Sequence, residues 1–127
     1  MAELARLKRR PEFLRVAGSR RKWVMPGLIL QAAPAAEPKA HAGETTARVG
    51  FTASRKVGIA VTRNRARRRL KAAVAALMPL HAAGGHDYVL VARAETVRRP
   101  YPQLLDDLET ALKRLDLWRD GEGSKRP

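Results

Sequence analysis

Cysteine is missing from all 127 residues, which excludes disulfides, thiolate metal sites and a thiol nucleophile. Histidine is nearly as scarce: His41, His81 and His86 fall in or beside loops without the spacing of a ligand set. No apolar run approaches the ~20 residues that span a bilayer. The N-terminal stretch Met1–Pro11 carries Arg and Lys but lacks the apolar segment that a secretory signal places behind them. A cytoplasmic location is therefore expected. Acids are the last deficit, with 12 Asp and Glu against 26 Lys and Arg, a net charge of +14.

That imbalance creates a long-range positive potential, which favours binding to polyanions and makes the binding salt-dependent. Nucleic acid is the leading partner. An anionic membrane would call for basic clusters beside an insertable apolar face or a lipid anchor; neither is visible, so no membrane partner is expected. Patterned Val, Leu and Ile within a 45% hydrophobic composition argue for a folded chain. Its length suits one domain, expected over 1–119, with 120–127 as a flexible tail. No obligatory protein partner is expected.

Along the chain, Glu12–Val16 reads as a short amphipathic helix stopped at Gly18, with Pro11 in its first turn. The apolar run Trp23–Ala33 reads as a strand, with Pro26 and Gly27 marking an edge or a bulge near its start. Pro34–Thr46 has turn and linker chemistry and reads as an exposed, hairpin-like loop. Arg48–Ser54 alternates, placing Val49, Phe51 and Ala53 opposite Arg48, Thr52 and Ser54. After Gly58 the period becomes helical, with Ala66, Leu70, Ala73, Val74 and Leu77 on the core face and Pro79 beyond the end. Asp87–Ala94 suits an interior strand. Tyr101–Trp118 reads as a last helix on a stripe of Leu104, Leu105, Leu108, Leu112 and Leu115. The order helix, strands, helix, strand, helix predicts an α+β fold, a single compact α-β sandwich with helices on one sheet.

The chemistry concentrates between residues 55 and 71. Eight bases (Arg55, Lys56, Arg63, Arg65, Arg67, Arg68, Arg69 and Lys71) stand there without one acid. At about 100° per residue, Asn64, Arg65, Arg67, Arg68, Arg69 and Lys71 share one polar arc opposite Ala66 and Leu70. Solvated helix faces usually mix charge signs. Like charges four residues apart, Arg65/Arg69 and Arg67/Lys71, repel by a few tenths of a kcal/mol each, a repulsion that bound phosphate relieves. Arginine's planar fork bonds two phosphate oxygens at once and stacks on bases, so six arginines among the eight favour structured RNA.

The segment Arg48-Val-Gly-Phe-Thr-Ala-Ser-Arg-Lys-Val-Gly58, followed by Ala60-Val-Thr-Arg-Asn-Arg-Ala-Arg-Arg-Arg-Leu70, resembles the signature of the bacterial ribonuclease P protein subunit. Phe13, Val16 and Gly18 resemble that family's first helix, and the likeness continues to about Trp118. The resemblance implies a small subunit that joins a large catalytic RNA in removing the 5′ leader of precursor tRNA, and a sandwich with a left-handed β-α-β crossover. It implies that Arg55, Lys56, Arg63, Asn64, Arg65, Arg67, Arg68, Arg69 and Lys71 bind the catalytic RNA. It also implies a leader-binding cleft between the first helix and the sheet, lined by Phe13, Val16, Thr52 and Ser54. Three positions depart from the family pattern: Ile59 for a polar residue, Ala17 for an aromatic, and Gln31 where the first strand often carries Tyr. Trp23 is either the replacement ring or a half-buried strand-end residue.

A self-sufficient nuclease needs metal-holding carboxylates or an acid–base pair converging on a phosphate. Asp106, Asp107 and Glu109 are close in sequence, but neighbours on a helix point apart, and acids in early turns answer the helix dipole. No catalytic residue is therefore assigned to the protein, and Mg²⁺ is expected to be held mainly by RNA and substrate phosphates. The competing classes are a ribosomal or other structural RNA-binding protein and a nonspecific cationic DNA-binding module. The ordered motif, beyond charge alone, favours the ribonuclease P subunit.

Overall fold

The computed structural model describes residues 3–35 and 46–120. Within them, five strands form one sheet of order β1-β4-β5-β3-β2, accompanied by three α-helices. The elements run β1 (Glu3–Arg6), α1 (Arg10–Gly18), β2 (Lys22–Met25), β3 (Leu28–Pro34), β4 (Thr46–Thr52), α2 (Ala60–His81), β5 (His86–Ala92) and α3 (Tyr101–Arg114). The α+β class is as expected, but a strand rather than a helix comes first. β1 is too short to show a sequence period. It forms because β4 offers an edge, pairing Ala5 with Arg48 in parallel and continuing in the Leu7 N–H to Val49 carbonyl bond.

Where one strand with an edge position or a bulge near its start was expected, Lys22–Pro34 is a hairpin. Met25 pairs with Leu28 across Pro26–Gly27, so the two turn-forming residues reverse the chain. Gly27 is dictated by α3: a Cβ there would lie 2.6 Å from Asp107 Oδ2 and 2.8 Å from Leu104 Cδ1. The 34–46 segment falls mostly outside the described residues, as does 121–127. Its flanking strands are not hairpin partners, because β5 lies between β3 and β4. β4 and β5 run parallel, with Phe51 opposite Leu90, making β4-α2-β5 a parallel crossover unit.

Helices cover both faces of the sheet. On one, α2 and α3 bury Leu70, Met78, Leu104, Leu108 and Leu112 against Leu28, Leu30, Val49, Tyr88 and Leu90. On the other, α1 seals a smaller cluster of Leu7, Val16, Ala33 and Val89, with Phe13 and Val91 at its margin. Each fully buried leucine contributes roughly 1.5–3 kcal/mol of transfer free energy, which places most of the stability on the α2/α3 face.

Two helix ends differ from expectation. Pro79 lies inside α2, although it removes the bond to the Ala75 carbonyl. The last turn survives because Ala82 N–H donates to the Met78 carbonyl (3.0 Å) and the His81 ring stacks on Trp118 at 4.1 Å and 7°. α3 stops at Arg114 instead of Trp118, because Asp116 adopts φ 62°. Leu117 N–H then reaches back to the Leu112 carbonyl and Asp116 N–H to that of Lys113, a Schellman ending sealed by buried Leu112 and Leu117.

Candidate nucleic-acid interface

α2 carries Arg63, Asn64, Arg65, Arg67, Arg68, Arg69 and Lys71 as one rod, held to the core by Ala66, Leu70 and Ala73. From Arg63 to Lys71 the rise is ~12 Å, enough to face several phosphates. The arc has two flanks. Arg65 and Arg68 are exposed on the flank toward α3, where with Arg69, Ala72 and Tyr101 they line an open groove of about 330 Å³. Lys71 lies on the flank toward β4, its Nζ 5.9 Å from the Phe51 ring centroid, and Arg6 of β1 approaches that ring to 5.8 Å. Arg6 therefore extends the basic face onto β1, a contribution no sequence pattern announces.

Not every base on this face is free to act. Arg63 Nη1 donates to the Gly58 carbonyl at 2.9 Å and Arg67 Nη1 to Asn64 Oδ1 at 2.8 Å. Arg69 is anchored twice, through Nε to the Thr96 carbonyl (2.9 Å) and through Nη2 to that of Arg99. Arg55 and Lys56 stand exposed on a 3-10 turn, Arg55–Val57, that leads into α2.

The four residues expected to line a leader cleft do not share one surface. Phe13 is half-buried and lies over Gly50, where a Cβ would be 2.4 Å from its Cε2. Val16 is fully buried; it supports Phe13 from beneath instead of facing a ligand. Ser54 is beyond the end of β4, and its Oγ accepts from Lys56 N–H (3.3 Å), capping the 3-10 turn. Thr52 alone of the two polar candidates stays on the sheet. With Val91, Ile29 and Val24, its neighbours across successive strands, it forms a partly open strip beside Phe13. Gln31 and Ala17 bring no ring to this face. Trp23 does not replace one: its pairing partner Leu30 belongs to the α3-side core, and Arg114 stacks on its ring at 5.6 Å.

α1 is positioned by charges that the sequence reading left unassigned. Asp87 is fully buried beneath it and accepts from Arg48 Nε (3.0 Å) and Nη2 (2.8 Å) and from Arg15 Nη2. Arg48 also reaches Glu12 Oε2 at 2.8 Å, while Glu12 Oε1 accepts the Lys8 and Arg9 amides at the start of α1. Those amide bonds, then Arg48, hold the Glu12 carboxyl below its usual range, and Asp87 raises the Arg48 guanidinium. The available clue was Asp87 itself, a carboxylate in an otherwise apolar interior strand, which requires a partner.

Of the acids of α3, Asp107 is equally committed. Asp107 is buried and accepts from the Gly27 amide (2.9 Å), Arg99 Nε (2.9 Å) and Arg99 Nη2 (3.0 Å). Glu109 pairs with Lys113 at 2.7 Å, and Asp106 is exposed. Among the described residues no group of three or more His, Asp or Glu converges as a metal site. With Asp107 buried under Arg99 and the Gly27 amide and Glu109 paired with Lys113, the acids of α3 do not form a donor set that fits a magnesium ion. No helix among the described residues is long and apolar enough to cross a membrane.

Residues 1–116 match the Ribonuclease P family model. The chain is 55% identical over 126 residues to the ribonuclease P protein component of Paramagnetospirillum magneticum, covering 99% of this chain and 93% of that protein. With the component from Caulobacter vibrioides it shares 43% over 120 residues, covering 94% and 76%. The Staphylococcus aureus RNase P protein superposes with a TM-score of 0.72 at 21% identity, covering 92% of this chain and all of that one. The Thermotoga maritima RNase P protein gives 0.69 at 21%, covering 86% and 96%. These two likenesses speak for the fold, while the closer sequence relatives and the family model cover nearly the whole chain. The chain belongs to the ribonuclease P protein family.

Proposed function

We propose that this chain is the protein subunit of ribonuclease P, binding the catalytic RNA through α2 and the 5′ leader of precursor tRNA along the strip beside Phe13. The observation that carries the reading is the one-signed arginine face of α2, held rigid by its buried side and extended by Arg6. Such a face neutralises backbone phosphates and releases their counterions. The protein supplies charge and position, and the RNA supplies the chemical step, in the cytoplasm. Magnesium sits on RNA and substrate phosphates, in keeping with its preference for water and oxygen ligands. Thr52 and the aliphatic strip offer the leader a contact surface, with Phe13 as its one ring.

The test is reconstitution with a cognate catalytic RNA. Protein alone is expected to cleave no precursor tRNA at any magnesium concentration, whereas adding it to the RNA lowers the magnesium needed for cleavage at the mature 5′ end. An unchanged magnesium requirement, or cleavage by RNA-free protein, overturns the reading. A structural RNA-binding protein would bind RNA without moving the magnesium requirement, which separates that alternative.

A further inference from the structure

The groove between α2 and the start of α3 combines features that a phosphate-gripping helix does not need. Arg65, Arg68, Arg69 and Ala72 line it from α2, and Tyr101 lines it from the head of α3. Tyr101 is 37% exposed, a partly exposed side chain at the edge of the basic face. The volume of about 330 Å³ lies at the small end of ligand sites, on the scale of one nucleotide. Arg69 enters the groove already fixed, since two of its N–H groups bond the Thr96 and Arg99 carbonyls. A cation held in advance loses little freedom when an anion arrives. Ala72, on the same helix as the arginines, adds little bulk to the α2 wall.

The chemistry narrows the ligand. A free phosphate or an acidic peptide would use the arginines and leave the ring idle. A base-paired nucleotide keeps its faces within the duplex stack and has none to offer Tyr101. An unpaired nucleotide has both a π-face for the ring and a phosphate for the arginines. We propose that this groove is a nucleotide pocket, in which one unpaired base of the docked RNA stacks on Tyr101 while its phosphate is held by Arg65 and Arg68, with Arg69 as the anchored third cation. The proposal rests on the reading of α2 as the RNA-docking helix and adds to it a base contact on α3.

The test uses full-length protein and its cognate catalytic RNA, with dissociation constants measured across a salt series for Tyr101→Ala, Tyr101→Leu, Tyr101→Phe and the Arg65→Ala/Arg68→Ala pair. Circular dichroism first confirms that each variant folds, and Tyr101→Leu keeps apolar bulk at the head of α3. Loss of one stacked base weakens binding roughly 5- to 140-fold, expected for both Tyr101→Ala and Tyr101→Leu. Their log–log salt slopes stay at the wild-type value because no charge is removed. Tyr101→Phe retains the ring and binds within about twofold of wild type, as stacking requires a π-face and not a hydroxyl. Chemical probing of the RNA should find one unpaired base protected by wild-type protein and reactive again with Tyr101→Leu. Wild-type affinity in Tyr101→Leu, an equal loss in Tyr101→Phe, or the absence of such a base overturns the pocket. If the arginine pair weakens binding and Tyr101→Leu does not, only the pocket falls. If the arginine pair binds as wild type, the docking reading falls and takes the pocket with it.

Discussion

The ring of Phe13 occupies the space that any side chain at position 50 would need. A Cβ on Gly50 would stand 2.4 Å from Phe13 Cε2, 2.5 Å from Cζ and 3.2 Å from Leu7 Cβ. The close approach of α1 to β4 therefore depends on a missing methyl group, and it sets where the one ring on this face lies.

Gly50→Ala is expected to displace Phe13 and tilt α1, at a cost of ~1–3 kcal/mol for overpacking. Phe13→Ala removes the ring while leaving Gly50 free. In a reconstituted holoenzyme both variants should lose affinity for precursor tRNA with a leader more than for mature tRNA. Equal loss of both ligands, together with a large fall in melting temperature, would mean that Phe13 only packs the core.

Asp107→Ala should destabilise the fold without touching chemistry. It orphans the buried Gly27 amide, a loss of roughly 1–3 kcal/mol, and frees Arg99. Thermal melts report that loss, whereas single-turnover cleavage at saturating protein, well below the melting point, is expected to match wild type. Asp106→Asn with Glu109→Gln should change neither quantity. A collapsed chemical step in any of these folded variants contradicts a noncatalytic protein.

Arg67 and Arg69 should behave differently despite lying on one helix face. Arg67→Ala removes a base whose hydrogen bond is to the side chain of Asn64, four-fifths of a helical turn away, and should lower the salt slope of RNA binding by about one unit with little change in melting temperature. Arg69→Ala breaks two bonds to backbone carbonyls and should lower the melting temperature. Reversed phenotypes would misplace the anchor.

Tyr88 provides a pH signature. Its ring is buried, its hydroxyl donates to the Ala83 carbonyl at 2.6 Å, and burial pushes its ionisation above the ordinary value of 10. Ionisation is thus easier in the unfolded chain. The contribution is complete below pH ~10 and is lost as pH rises from there toward the folded value. Alkaline melts of Tyr88→Phe should start lower, lacking the hydrogen bond, and should decline less steeply above pH 10 than wild type.

The helical period after Gly58 and the alternation around Val49 and Phe51 were legible because each element carries its own repeat and faces a single core. The arginine face of α2 was legible for the same reason: a rigid rod converts spacing directly into direction. Trp23–Ala33 reads as one strand because its apolar content is continuous, and only the antiparallel pairing of Met25 with Leu28 shows that Pro26 and Gly27 turn the chain.

Composition and local spacing by themselves determined the α+β class, the basic character, the arginine-lined helix face and the likeness to a family. Tertiary structure decided which of those residues are available. Val16 went to the core, Ser54 to a turn and Trp23 to the α3 side of the sheet. It also brought Arg6 to Phe51 and Tyr101 to Arg65 and Arg68, pairs separated by at least 33 residues. The physical reason is that period gives a side chain's direction on its own element, while its partner depends on strand order and helix docking, which are set by long-range burial across the whole chain.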